Sequence, residues 1–343
     1  MVDSMILLWS LRSCKSSSNI CNGGGIAMEK VDNSNNFQAS FNMKKSKWTV
    51  LWEKFVERIF FISACMAIIS IATITIFIFA KGGPAMLEIG IFNFMFGTTE
   101  LGEKVYLWQP GADIYHIITM ILSSIYITLG AIIIGVPVGI LTAVFIAEIA
   151  PKWLVKIMKP AVELLAGIPS VVYGFFGLII IVPMIYETYG RQLKGGGNSM
   201  LAAIIILSIM ILPTIINISI TAIKAVPIEY KEGSLAMGAT HIQTIFKVMI
   251  PAAKSGIFAA VILGIGRAIG ETMAVILVAG NSIKFPTSIS DSVRPMTAHI
   301  ALEMSYASPG LHENSLFATG IVLFIFIMLL NIALNFITHK VGE

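Results

Sequence analysis

The chain has 343 residues, of which 56% are hydrophobic and only 12% are charged, and its formal net charge is +4. Soluble domains carry about 25% charged residues, so a globule of this size would have too little polar surface to face water. Composition therefore excludes an ordinary soluble domain, and the mean hydropathy of +0.86 favours an integral membrane protein.

The N-terminal region differs from the rest of the chain, because it is rich in Ser, Asn and Gly and lacks a helical period. Its short apolar run, Met5–Leu8, is too short for the core of a signal peptide. We predict a disordered cytoplasmic tail over residues 1–48, or a translation start that lies at Met28 or Met43. A single membrane domain is expected over residues 49–343.

Six apolar blocks follow in chain order, and each is long enough to cross the ~30 Å hydrocarbon core of a bilayer as a helix of ~20 residues. The alternating pattern of a transmembrane β-barrel does not occur in them. We therefore predict an all-α membrane protein with about six transmembrane helices. The blocks are Ile59–Ala80, Ile117–Ala147, Ala161–Tyr186, Ser199–Ile223, Gly256–Ala279 and Leu316–Ile337.

The Lys and Arg residues predict the orientation, because cytoplasmic loops of membrane proteins carry an excess of positive charge. With the N-terminus inside, 16 of the 23 Lys and Arg residues fall in cytoplasmic segments and six fall in external loops, and the remaining one is Arg267. We expect a multi-pass protein of the plasma membrane with both termini in the cytoplasm. The net charge reflects this topology and is poor evidence for nucleic-acid binding.

The cytoplasmic loop of residues 224–255 has the pattern of two short helices joined by a corner. Gly238 suits a left-handed helix end, and Thr240 with Gln243 forms a capping box for the second helix. We expect Pro251 to break that second helix before the membrane. The sequence therefore predicts a helical hairpin on the cytoplasmic face.

This hairpin is similar to the EAA loop of ABC importer permeases, whose pattern reads E-A-A, three residues, G, nine residues, I-x-L-P. Here Glu232-Gly233-Ser234 and the run Val248-Met249-Ile250-Pro251 stand at the matching spacings, with small residues in place of the two alanines. The resemblance implies a type I ABC importer fold whose coupling-helix loop docks on a separate ATP-binding subunit. An interfacial hairpin that binds no partner is the alternative. The implied coupling residues are Glu232, Gly238, Ala239 and Pro251.

Arg267 and Glu271 lie within the fifth apolar block, where a charged side chain at the bilayer centre costs from ~2.5 to over 10 kcal/mol. Their spacing of four predicts that both lie on one helix face and can pair. Either this pair braces the bundle, or Arg267 meets a translocated anion through its planar donor fork while Glu271 positions the guanidinium. Gly266 and Gly270, on a neighbouring strip, would allow another helix to approach closely.

The run Arg267-Ala268-Ile269-Gly270-Glu271-Thr272 resembles the R-A-[LI]-G-E-T signature of phosphate-specific ABC permeases. The residues Met273-Ala274-Val275, Gly167–Gly174 and Trp108-Gln109-Pro110 resemble the C-type subunit of those systems. The resemblance covers residues 50–340 and implies import of inorganic phosphate, delivered by an extracytoplasmic binding protein. It also implies a second, A-type permease subunit and a pair of ATP-binding subunits as partners. The implied pathway residues are Arg267, Glu271, Thr272 and Ser170.

The sequence has no G-x-x-x-x-G-K-[ST] loop for ATP, no His/Cys cluster and no nucleophile–base pair. We therefore expect a transport subunit rather than an enzyme, without a cofactor or a metal. The alternatives are an ABC permease for another oxyanion, such as sulfate or molybdate, and a self-sufficient secondary transporter, which would predict broken helices in both halves. The five histidines are scattered, and Trp108, Tyr115 and Tyr306 are interpreted as interfacial anchors.

Overall fold

The computed structural model describes residues 47–97, 108–189 and 196–342. These residues are mostly helical, and two short strands among them pair as an antiparallel hairpin. The tail predicted over residues 1–48 lies outside the described residues, except for its last two, which begin the first helix.

The elements are α1 (Lys47–Ile89), α2 (Ile91–Phe96), β1 (Trp108–Gln109), β2 (Ile114–Tyr115), α3 (Ile118–Val144, continued by the π-helical turn Phe145–Ile149), α4 (Lys152–Gly167), α5 (Ser170–Phe176, continued by the π-helical turn Gly177–Ile181), α6 (Val182–Tyr189), α7 (Met200–Lys224), α8 (Ile228–Ala236), α9 (His241–Thr244, continued by the π-helical turn Ile245–Met249), α10 (Ile250–Ala252), α11 (Lys254–Gly270), α12 (Met273–Val278), α13 (Met296–Glu303) and α14 (Leu311–Gly342).

Five helices in the described part of the chain are long and apolar enough to cross a membrane, and one bent pair makes a sixth. The bent pair joins His241–Ala252 to Lys254–Gly270 at an angle of 70°. The prediction of an all-α membrane protein with about six transmembrane helices is confirmed. The five spans are Leu51–Ile89, Ile118–Ile149, Ser170–Tyr189, Met200–Lys224 and Leu311–Leu334.

Two of the predicted apolar blocks are interrupted in the structure. The third block is divided between α4 and α5, with Ile168 extended at ψ 127°. Pro169 explains this break, because its ring disfavours the helical conformation of the residue before it. The fifth block is divided at Glu271, which ends α11.

The chain divides into two compact units, residues 1–68 and 69–343. The described residues of the first unit belong to α1, where the rings of Trp52 and Phe55 meet edge to face with 5.7 Å between centroids. Large apolar side chains of this segment, Trp48 and Leu51 among them, are exposed. Exposure of so many contiguous apolar groups suits contact with lipid rather than with water.

In the second unit, α7 forms the centre of the packed core. It is apolar on all sides, as expected of a helix surrounded by other helices, and it buries more of its length than the other described spans. α3 and α11 pack against it. Small residues allow this approach, since a Cβ added at Gly135 of α3 would lie 2.7 Å from Ile211 Cδ1. The core therefore fixes α11, which carries Arg267, against α7.

Replacing Gly82 by Ala is expected to destabilise the protein, because α1 and α14 meet there at backbone contact. A Cβ at this position would lie 2.6 Å from the backbone N of Ala318 and 2.6 Å from the carbonyl C of Phe317. Overpacking of this kind costs about 1–3 kcal/mol. Gly83→Ala is the control, since among the described residues no atom outside the adjoining helix backbone lies within 4 Å of a Cβ added there. Thermal unfolding of the purified variants measures the effect, and equal Tm values for the two would contradict this expectation.

Candidate functional site

The apolar fifth block contains a break directly after α11. Glu271 is extended, with φ −72° and ψ 127°, and α12 begins only at Met273. The Oε1 atom of Glu271 accepts a hydrogen bond of 3.0 Å from the backbone N of Ala274, which satisfies one of the unpaired N–H groups at the start of α12. The prediction of one continuous helix is wrong here, because the Glu271 carboxylate caps a new helix.

Arg267 is half-buried on α11 and contacts α7 rather than Glu271. Its Nη1 donates to Thr214 Oγ1 over 3.4 Å. Among the ion pairs of the described residues, none joins Arg267 to Glu271. The expected pairing is therefore wrong, since the Glu271 carboxylate accepts from the backbone N of Ala274 instead. A guanidinium has five N–H donors, so Arg267 retains donors for a further acceptor.

A second broken helix packs against the first. α5 starts at Ser170 and lies against α12, since a Cβ added at Gly174 would lie 2.8 Å from Ala274 Cα. Tyr173 Oη donates to the backbone O of Leu165 over 2.7 Å, which ties α5 to α4 across its own break. Discontinuous helices of this kind frame the substrate sites of many transporters, so the two breaks outline a candidate pathway.

The four residues predicted for the pathway lie at or beside these two breaks. Ser170 is the first residue of α5, and Glu271 and Thr272 form the gap between α11 and α12. Thr272 Oγ1 donates locally, to the backbone O of Gly270 over 3.4 Å. Arg267 lies one helical turn before the gap. Fold and packing thus bring all four to the α5, α11 and α12 region.

Two threonines that the sequence pattern does not single out also touch this region. Thr214 contacts Arg267, as described, and Thr297 of α13 donates from Oγ1 to the backbone O of Glu271 over 3.0 Å. Thr214 follows Pro213, and a proline inside a buried helix is the signal that could have pointed to it. Thr297 has no comparable signal. Thr214 holds the guanidinium of Arg267 and Thr297 holds the backbone of Glu271, and neither adds a charge to the site.

The predicted hairpin consists of α8, a corner, and a second leg formed by α9 and α10. Gly238 at the corner has φ +86°. Thr240 and Gln243 form the reciprocal capping box, with bonds of 3.3 and 3.0 Å, so the corner and the cap are confirmed. Pro251 does not end the second leg. It lies in the first turn of α10, where its missing N–H needs no partner, and the chain bends at Ala253 instead.

The hairpin displays many of its apolar side chains, whereas Ile245 and Met249 of the second leg are buried. All nine residues of α8 are described, and none of them is buried. Met237, directly after α8, is 89% exposed, and Glu232 is exposed as well, whereas Ala239 is half-buried. An exposed apolar patch on a helical hairpin is typical of a protein docking surface. The other exposed apolar residues of the hairpin are Ile228, Tyr230, Leu235, Ile242 and Phe246.

A largely buried polar cluster, formed by the ion pair of Arg294 with Glu303 and by His312, joins the segments on either side of α13. Arg294 Nη1 lies 2.7 Å from Glu303 Oε1, and His312 Nε2 lies 3.6 Å from Glu303 Oε2. Arg294 Nε also donates to the backbone O of Asn281 over 2.8 Å. These side chains hold α13, and with it Thr297, in place. Because these three residues are separated along the chain, no sequence motif pointed to the cluster.

The aromatic residues of the β-hairpin pack beside this cluster. Trp108 and Tyr115 are buried, and the Trp108 ring meets the His299 ring at 4.3 Å between centroids. The interpretation of these two aromatics as interfacial anchors is therefore wrong, because they belong to a packed core. Tyr306 is exposed, as an anchor would be.

Acid is expected to destabilise the protein through His299. Burial, with smaller contributions from Arg294 and His312, lowers the pKa of His299 from 6.5 to about 3. The unfolded chain binds a proton near pH 6.5 and the folded chain does not, so this contribution is complete above pH 6.5. It is lost toward pH 3 by about 1.4 kcal/mol for each pH unit.

Thermal unfolding at about pH 7 and about pH 5 measures this loss. His299→Leu should remove this component of the pH dependence, whereas the control His241→Gln, at an exposed position, should retain it. Equal falls in Tm for wild type and His299→Leu would contradict the assignment.

The family model described as the binding-protein-dependent transport system inner membrane component matches residues 135–342. The chain belongs to this family. The matched region contains both broken helices, the hairpin and the Glu303 cluster. These features therefore lie within the part of the permease that the family shares.

Individual related proteins support the assignment to this family of transport permeases. The permease is 41% identical over 278 residues to the probable ABC transporter permease protein YqgH of Bacillus subtilis, which covers 78% of this chain and 87% of that protein. It is 33% identical over 284 residues to the phosphate transport system permease protein PstC of Mesorhizobium japonicum, with 78% and 84% covered. For PstC of Pasteurella multocida the identity is 34% over 234 residues, with 64% and 73% covered. This chain is thus an ABC importer permease, a multi-pass membrane transport subunit.

Solved structures confirm the type I importer permease fold. A bacterial ABC transporter involved in the import of alginate aligns with a TM-score of 0.56 at 16% identity, covering 85% of this chain and 99% of that chain. The MetNI methionine ABC transporter aligns with a TM-score of 0.52 at 18% identity, covering 69% and 100%. Broken helices, which would also fit a secondary transporter, therefore occur here in an ABC importer permease.

Proposed function

We propose that this permease is the C-type membrane subunit of an ATP-driven importer of inorganic phosphate. The observation that carries the proposal is Arg267, a cation beside a break in an apolar helix, held by a neutral hydroxyl rather than by a carboxylate. The relatives named phosphate transport system permease protein PstC support phosphate as the substrate.

Arg267 suits a tetrahedral oxyanion because a planar guanidinium donates two parallel hydrogen bonds to two oxygens. Thr214 orients the guanidinium without neutralising it, so its charge remains for the substrate. Glu271, fixed in its capping role, contributes a negative charge one turn further along the chain. That charge limits the affinity for an anion, as transport requires, because phosphate must leave as well as enter. Ser170 and Thr272 supply hydroxyl donors at the two breaks.

The hairpin is proposed to dock on an ATP-binding subunit on the cytoplasmic side, through Glu232, Gly238, Ala239 and Pro251. Its exposed apolar side chains, with Met237 foremost, favour a protein partner over water. That partner would hydrolyse ATP, and closure of the two ATP-binding subunits would displace the docked hairpin and the helices joined to it.

A second, A-type permease subunit is proposed to complete the pathway. At Gly266 and Gly270 on α11, no atom of the described residues beyond the adjoining helix backbone lies within 4 Å of an added Cβ, so this face is open to close approach by another helix. An extracytoplasmic phosphate-binding protein delivers the substrate to the opposite side of the membrane.

The proposed orientation has both termini and the hairpin in the cytoplasm, in agreement with the distribution of Lys and Arg. A membrane-impermeant thiol reagent applied to intact cells tests it, in a background without the native cysteines. Lys284→Cys, at an exposed position, should be labelled, and Glu232→Cys should not. Labelling of Glu232→Cys from outside would overturn this topology.

Phosphate uptake by cells that depend on this permease tests the substrate. We expect uptake of labelled phosphate that a large excess of sulfate or molybdate does not inhibit. If deletion of the permease left phosphate uptake unchanged while abolishing uptake of sulfate or molybdate, the phosphate assignment would fail. The chain would then be an ABC permease for another oxyanion.

A further inference from the structure

Lys231 on α8 forms an ion pair with Glu148, in the π-helical turn that ends α3. Nζ lies 2.6 Å from Oε2, and the side chains of Lys231 and Glu148 are 30% and 8% exposed. Ion pairs on an open surface contribute little, but this carboxylate is shielded from water. Loss of Lys231 alone would therefore leave a buried charge without a partner.

This pair matters because α8 has few other attachments. None of the nine residues of α8 is buried, so apolar packing does not hold it. Among the described residues, α8 has a second side-chain hydrogen bond to another element, between Ser234 Oγ and Thr244 Oγ1 at 3.0 Å. Since Thr244 belongs to the second leg, that bond stays within the hairpin. Within the described part of the chain, Lys231 is thus the side-chain connection from α8 to a membrane span.

The end of α3 is well placed to receive movement from α8. Val144, next to the π-helical turn, packs in a core cluster with Ile223 of α7 and Ile257 of α11. π-helical turns inside helices often mark functional sites. Movement of Glu148 would consequently be transmitted to α11, which carries Arg267, and to α7, which Arg267 contacts through Thr214.

We infer that Lys231 and Glu148 are positioning residues that make α8 and α3 move as one body during the transport cycle. The inference rests on the proposed docking of an ATP-binding subunit on the hairpin. It extends that proposal by naming a contact of α8 through which force would pass toward the pathway, in addition to the packing of Ile245 of the second leg in the same core cluster. The pair acts through helix position and does not touch the substrate.

The distance between spin labels at Met237 and Leu141, both exposed, tests this link in the assembled complex. In wild type and in Lys231→Arg, a non-hydrolysable ATP analogue should leave the distance unchanged, because both labels move together. In Lys231→Met/Glu148→Gln the analogue should change it. A change in wild type, or none in the double variant, would overturn the link. This measurement needs no phosphate, so a wrong substrate assignment would not affect it.

Transport by the same double variant provides the second measurement. Because it leaves no buried charge unpaired, it should assemble with the ATP-binding subunit, while uptake for each ATP hydrolysed falls about tenfold. A merely structural pair predicts instead that the double variant recovers uptake. Normal uptake, or failure of the double variant to assemble, would overturn the inference.

Discussion

Replacing Arg267 by Gln should lower phosphate uptake about tenfold to a hundredfold at matched membrane abundance. A hydrogen bond to a charged group contributes about 1.5–3 kcal/mol, and each 1.36 kcal/mol corresponds to about a factor of ten. Arg267→Lys should impair uptake less severely, because the ammonium retains the charge but loses the bidentate fork. Initial rates of labelled phosphate uptake measure both effects.

The double variant Arg267→Gln/Glu271→Gln distinguishes a substrate contact from a brace. If the two charges only neutralised each other, removing both would restore uptake, since neither would then be buried alone. We expect no restoration, because Glu271 accepts from Ala274 N and Arg267 donates to Thr214. Near-normal uptake by the double variant would refute the direct role of Arg267.

Thr214→Val should also reduce uptake, because Arg267 keeps its charge but loses the hydroxyl that orients it. Thr221→Val on the same helix is a matched control, since the Thr221 hydroxyl donates within α7, to the backbone O of Asn217 over 2.9 Å. Equal uptake by these two variants would show that orientation by Thr214 is unimportant.

Gly238→Val should abolish coupling to the ATP-binding subunit without preventing membrane insertion. The backbone at Gly238 has φ +86°, and apart from its chain neighbours no atom of the described residues lies within 4 Å of an added Cβ, so the cost comes from backbone strain and not from a clash. A side chain in a left-handed conformation costs about 1–2 kcal/mol, and a β-branched one tolerates it least. The corner would therefore open and move α8 away from its docking position.

Gly233→Ala is the control for this experiment. Gly233 lies within α8, and in the described part of the chain no atom outside the adjoining helix backbone lies within 4 Å of an added Cβ. The substitution should add about 1 kcal/mol of helix propensity. We expect Gly233→Ala to co-purify with the ATP-binding subunit, and Gly238→Val to lose that association or its stimulation of ATP hydrolysis. Wild-type stimulation by Gly238→Val would contradict the assignment of the corner.

Local features of the fold could be predicted from the sequence because a few adjacent residues determine them. The corner at Gly238 and the capping box of Thr240 and Gln243 depend on backbone conformation and short hydrogen bonds within five residues. The apolar blocks were likewise visible in the order of apolar residues along the chain. The break at Glu271 was not, because an apolar block with a spacing of four between charges is equally typical of a continuous helix.

The contacts that build the candidate site join residues far apart in the chain. Arg267 meets Thr214 across 53 positions, and Lys231 meets Glu148 across 83. Without a repeated motif, one sequence contains no signal that pairs such residues, since packing of the helices brings them together. Glu271 is an example: its carboxylate accepts a hydrogen bond from the backbone N of Ala274, and its backbone O accepts one from Thr297 of another helix.

ATP hydrolysis by the reconstituted complex tests the central claim most directly. The permease, its A-type partner and the ATP-binding subunits would be placed in lipid vesicles with the binding protein on the side of the external loops. We predict that phosphate-loaded binding protein stimulates hydrolysis and that phosphate accumulates across the membrane, whereas sulfate produces neither effect. An ATP hydrolysis rate that phosphate-loaded binding protein does not raise, or that sulfate raises equally, would contradict the proposal that this permease imports phosphate.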